Sequence, residues 1–261
     1  MKRFLSFLSI ICIIGLAKST DYCNPNLCKK GAHIACGHSG KFHSSCPANA
    51  VLFNITQSFK DFLIKYHNEK RNYIAGGNDA HHDAACQMGT VQWDDELAYL
   101  AHFNVLQCKM EHDACHNTAK YHSSGQNLAI RWYNGTPDIK KSFQKGVDSW
   151  FNEVQYSNMD FINSYRRNNE HAIGHFTAMM VQNNVRIGCA AATYGAKDPK
   201  GKQYFLLACN YDNTNWNGNP IYASCSKPAA ACTTGTNPDY PNLCSLKEHY
   251  DFNAKNPKIK A

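Results

Sequence analysis

The sequence predicts a single α+β domain of roughly 180 residues, a three-layer α-β-α sandwich with helices on both faces of a sheet and cysteine-rich segments at either end. Three observations carry this. Apolar residues recur at helical spacing near residues 55–75 and 94–108; strand-like and helical runs then alternate; and the last two strand-like runs flank a strong turn sequence. No internal repeat or long linker interrupts the chain.

Each element has its own local reason. Residues 21–50 hold four cysteines among Gly, Pro, Ser and Asn, so they form a stapled, loop-rich segment without a core of its own. From Ile55, Phe59, Phe62, Leu63, Tyr66 and Tyr73 fall on one side of a helix that stops at Gly76-Gly77. Asp94 then caps a second helix with Asp95 and Glu96 in its first turn and an inward stripe Leu97, Ala101, Val105 and Cys108. A strand is expected over 127–132. A third helix spans Ile139 to about Tyr156 with Phe143, Val147, Trp150 and Val154 on one face; Gly146 weakens it by about 1 kcal/mol relative to Ala, so its surroundings must hold it.

The stretch "AIGHFTAMMVQ", residues 172–182, reads as core, yet it contains His175. From the residues alone, His175 reads as a core histidine with a satisfied hydrogen bond or as one corner of a site completed elsewhere in the chain, and Glu153 as a solvated helix edge or as part of a half-buried site. Strands at 188–194 and 203–211 flank Lys197-Asp198-Pro199-Lys200-Gly201. A hairpin centred on Pro199 sets Cys189 opposite Cys209 and predicts a disulfide between them.

Met1-Lys2-Arg3, the apolar run Phe4–Leu16 and the small-residue region Ala17-Lys18-Ser19-Thr20 have the layout of a secretory signal peptide over residues 1–20. The run is shorter than the ~20 residues that span a bilayer. The mature chain is therefore expected to be secreted, without a transmembrane anchor, starting near Thr20 or Asp21. Losing Lys2, Arg3 and Lys18 lowers the net charge from +7 to +4, and no basic stripe accompanies a nucleic-acid motif, so nucleic acid is not an expected partner. Of thirteen cysteines, Cys12 lies in the leader; the remaining twelve are even in number and exported, which implies six disulfides. Asn54 and Asn134 head glycosylation sequons.

Five stretches in order resemble the CAP superfamily, and within it the antigen 5 group of insect venom and salivary proteins: "HNEKRNYIAGG" from His67, "MGTVQWDDELAYLA" from Met88, "YHSSGQNLA" from Tyr121, "GHFTAMMV" from Gly174 and "FLLACNYDNTNWNG" from Phe205. The leading "YCNPNLCKKGAHIACG" resembles the antigen 5 amino-terminal extension. The resemblance implies the CAP form of the α-β-α sandwich, with an extension at 21–54, the CAP domain at 55–222 and a cysteine-containing tail at 223–261. It also implies Cys23–Cys36, Cys28–Cys115, Cys46–Cys108 and Cys189–Cys209, the last in agreement with the hairpin register. Cys86, Cys225, Cys232 and Cys244 are extra to that pattern and open to three connectivities.

The family's central cleft gathers two histidines and two acidic residues, and the positions that match are His122, Gln126, Glu153 and His175. His122, Glu153 and His175 would make a three-ligand zinc set with water in the fourth place, whereas the neutral amide of Gln126 weakens divalent binding. No cofactor is required, and the same four residues also read as a buried polar network. The function implied is that of a secreted, monomeric, non-enzymatic effector of the salivary or venom type and a potential allergen. Its expected partner is a small apolar ligand, lipid or sterol, or an extracellular protein. The alternative is a metal-dependent hydrolase using the His/Glu cleft. For that the sequence supplies no nucleophile, since Ser123 and Ser124 lie outside any strained-turn motif.

Overall fold

In the computed structural model, which describes residues 20–195 and 201–255, five strands form one sheet. They are β1 (Val51–Leu52), β2 (Gln92–Trp93), β3 (Gly125–Tyr133), β4 (Arg186–Gly195) and β5 (Gln203–Tyr211). The order is β1-β4-β5-β3, antiparallel throughout, and β2 joins β4 in parallel. Cys189 pairs with Cys209 across β4 and β5, as the spacing about Pro199 predicts, and the two are disulfide-bonded. Most of the expected turn, residues 196–200, lies outside the described residues, as do residues 1–19 of the expected signal peptide.

Alternation along the central strands builds the layers, because successive side chains point to opposite faces. On β5, Phe205, Leu207, Cys209 and Tyr211 join the core beneath α1 (Gln57–Ala75), α3 (Ile139–Phe151) and α5 (Gly174–Met180). Leu206 and Ala208 join Ala101 and Val105 of α2 (Asp95–Val105) on the other face. Both faces are covered, which is why these strands read as continuous apolar runs. A further short helix, α4 (Met159–Asn163), links α3 to α5.

Two glycines set the layer spacing. A Cβ at Gly188 would lie 2.0 Å from the Ala98 nitrogen, so α2 rests directly on the β4 backbone. A Cβ at Gly146 would lie 2.9 Å from Leu207 Cδ2; the residue that weakens α3 locally is the one that lets it approach the sheet.

The caps behave as the sequence predicts: the Asp94 carboxylate accepts from the Glu96 and Leu97 amides, and Gly76 ends α1. Two expectations need correction. Tyr73 is exposed, and the inward face of α1 instead includes Asn68 and Arg71. Arg71 is fully buried, its guanidinium donating to the carbonyls of Gly89, Met179, Val181 and Gln182, so backbone oxygens satisfy the charge that a helical wheel would have placed in solvent. The third helix stops at Phe151, and Asn152–Tyr156 tighten into a 3-10 turn.

All four implied disulfides are present, and Cys86–Cys225 and Cys232–Cys244 select one of the three open connectivities. Beyond Cys244 the chain is laid back onto the body. Glu248 accepts from the amides and hydroxyls of Thr233 and Thr234 and from Gln87, and Asn253 accepts from the His122 amide.

Candidate functional site

The 3-10 turn after α3 swings Glu153 under the start of α5. That helix has no side-chain cap of its own at Ile173, and its first amides need acceptors. Glu153 supplies them: Oε2 accepts from the His175 and Phe176 amides at 2.8 and 3.0 Å, and Oε1 accepts from His175 Nδ1 at 2.6 Å. With Nδ1 donating to Glu153, Nε2 has no partner among the described residues. The ring stacks on Trp150 at an interplanar angle of 16° and remains 29% exposed, on the wall of a cleft of about 620 Å³.

A second group of polar residues faces it from the loop before β3. His112 Nδ1 lies 2.8 Å from Gln126 Oε1, and Gln126 Nε2 donates to Asp113 Oδ2 at 2.8 Å and to Asn210 Oδ1 at 2.9 Å. Both ring nitrogens of His116 lie at hydrogen-bond distance from oxygens, Asp113 Oδ1 at 2.6 Å and the Gly125 carbonyl at 3.2 Å. Burial pushes the Asp113 carboxyl up. Hydrogen bonds from His116, Gln126 and Asn104 and the charge of His116 outweigh that and hold it at about 2.

Behind the cleft runs a third layer. Asn127 donates to the His175 carbonyl and to the Tyr211 hydroxyl, and Tyr211 in turn donates to Nε2 of His67, whose Nδ1 donates to the Leu63 carbonyl. Burial holds His67 down at about 4, so this relay carries no charge at neutral pH.

Of the four residues expected at the site, Gln126 and His175 line the cleft, and Glu153 anchors His175. His122 does not join them. A turn closed by Thr118 and Tyr121 buries Tyr121, whose hydroxyl donates to Asp94, so its neighbour His122 faces solvent with Nε2 on the Ala119 carbonyl. His112 and His116 occupy the cleft instead. Their signal was in the sequence: Cys108 and Cys115 bracket "KMEHDA" as two implied disulfide anchors, and Asp113 and His116 stand one helical turn apart.

The family model described as "CAP: Cysteine-rich secretory protein family" matches residues 64–211. Venom allergen-1 of Aedes aegypti is 36% identical over 249 residues, covering 94% of each chain. Antigen 5 like allergen Cul n 1 of Culicoides nubeculosus is 38% identical over 217 residues, covering 79% of this chain and 96% of its own. The chain belongs to the CAP family, and these relatives carry venom allergen and antigen 5 names. A crystal structure of NaASP2 with Zn2+ superposes with a TM-score of 0.57 at 22% identity, covering 77% of this chain and all of that one, which shows the shared fold.

The donor set of the present cleft does not fit a resident zinc. Glu153 spends both oxygens on α5, Gln126 presents an amide, and among the described residues no three His, Cys, Asp or Glu side chains gather closely enough to hold a metal ion. The ligand set His122, Glu153 and His175 is not assembled, because His122 points away.

Proposed function

We propose that this protein is a secreted, non-enzymatic effector that works by binding, and that the His175 cleft receives a polar or acidic side chain of an extracellular protein partner. The observation that carries this is the lining. Imidazoles, carboxamides, hydroxyls and the guanidinium of Arg167 surround the cleft, with Glu170 as the carboxylate on its rim. Aromatic side chains of α1 and α3 are taken up in the core, Phe59 on Phe143 and Phe143 on Phe205 of β5, which supports a polar occupant over a lipid or sterol. Twelve paired cysteines, and the absence among the described residues of a helix long and apolar enough to cross a membrane, support secretion.

One observation favours a second reading. Glu153 and His175 have the geometry of an orienting carboxylate and a general base. A hydrolase also needs something for that base to activate, and among the described residues no hydroxyl is hydrogen-bonded to His175. Ser124 Oγ lies in the cleft wall but is buried and without a partner.

The test is NMR of the histidine rings in the oxidised protein. An acidic peptide is expected to shift the His175 and His112 signals saturably, and fatty acids and sterols to leave them in place. Saturable lipid shifts with none from the peptide would overturn the partner reading. Peptidase or esterase turnover lost in His175→Ala would overturn the non-enzymatic one.

A further inference from the structure

At the other end of β3 from the His175 cleft, the strand's outer edge carries a second concavity of about 510 Å³ between β3 and the first turns of α3. Its cations are Arg131, Lys141 and Lys145. Lys202 lies 5.6 Å from the ring centroid of Trp132, a large side chain left 61% exposed. None of these four cations forms an ion pair among the described residues. Lys141 and Lys145 stand four apart on one exposed helix face, an arrangement of like charges that weakens a helix. Arg131 is half-buried: Nη2 donates to the Lys145 carbonyl at 2.8 Å, while Nε is buried with no acceptor. The nearby carboxylate, Asp138, is engaged in capping α3 through the Lys141 amide at 2.9 Å.

Unpaired like charges, a buried donor lacking an acceptor and an exposed indole all work against the free protein, and all are relieved by one kind of ligand. We infer that this concavity is a binding site for an anionic saccharide, with sulfate or carboxylate groups between Arg131, Lys141 and Lys145 and the apolar face of a sugar ring against Trp132. A guanidinium takes an oxyanion through two parallel bonds, and ammonium groups add charge without directional demand. The concave shape favours a discrete oligosaccharide over the plane of a lipid bilayer. The site is independent of the His175 cleft and of any reading of it.

The experiment is isothermal titration of the full secreted protein, carrying Asn134→Gln so that no glycan sits at the end of β3, with a heparin-derived hexasaccharide at several salt concentrations. Saturable binding that weakens steeply with salt is expected, as for any polyanion that displaces counterions. Lys141→Gln/Lys145→Gln should weaken it tenfold or more, Lys141→Arg/Lys145→Arg should retain it, and Trp132→Ala should weaken the hexasaccharide but not inorganic sulfate. These are surface substitutions, and an unchanged melting temperature confirms the fold. Hexasaccharide binding that is absent, or indifferent to all three changes, overturns the proposal. So does Trp132-dependent binding to phosphatidylserine vesicles in preference to the saccharide.

Discussion

At the residue scale, Gln126 shows how a neighbour dictates a side chain. Its amide donates to the Asp113 carboxylate and to Asn210, and only a group with N–H bonds can do so. A carboxylate there would face Asp113 at hydrogen-bond distance, with like charges and a lost donor. Gln126→Glu is therefore expected to destabilise the protein by about 1–3 kcal/mol at neutral pH in urea unfolding, the loss shrinking as acid protonates the new group. An unaltered midpoint at pH 7 would remove Asp113 as the reason for the amide. His175 resolves the same way: it stands in an apolar stretch of sequence because Glu153, 22 residues earlier, takes both the ring and two helix amides as donors.

At the scale of elements, most of the fold was legible because it rests on local rules. The Asp94 cap, the Gly76 stop and the symmetry of the hairpin about Pro199 each follow from residues within a few positions of one another. What escaped depends on tertiary partners. Arg71 looks solvated until the carbonyls that surround it are in place, and the turn at Asn152 becomes visible only when Glu153 has α5 to cap. The site was half legible for the same reason. Motif order located Gln126, Glu153 and His175, but the direction of His122 is set by Tyr121 turning inward to Asp94. Contact between α2 and β4 gives a sharp test. Gly188→Ala, with its methyl driven into the α2 backbone, is expected to lose about 3 kcal/mol or more, or to prevent secretion, whereas an ordinary Gly→Ala in a strand would not.

At the scale of the whole molecule, opposing groups shape the response to acid. Burial holds His67 down at about 4 against an ordinary 6.5, so its contribution is lost as pH falls through that range. Burial also raises Asp212 to about 7 against 3.8, despite backbone bonds from Arg186 and Val185, so its contribution grows over nearly the same range as pH falls. The two largely cancel. Asp113 and Glu248, each held at about 2 by its hydrogen bonds against burial, lose their contributions only below about pH 4. Burial also lowers His33, His38 and His102, so unfolding free energy is expected to decline gently between pH 6.5 and 4 and to fall steeply below; a decline above pH 4 as steep as that below it would contradict the offset between His67 and Asp212. Limited reduction followed by alkylation should open Cys23–Cys36 first, both ends being exposed, and Cys189–Cys209 last, both being buried. The loop carrying His112, Asp113 and His116 is tied to the rest of the protein at Cys108, Cys115 and His122, at every seventh residue. Two of those ties are covalent and persist in the unfolded chain, so much of the loop's freedom is gone before folding begins. A partner entering the cleft meets histidines already held in place, and its binding should show little of the entropy loss that accompanies the ordering of a mobile loop.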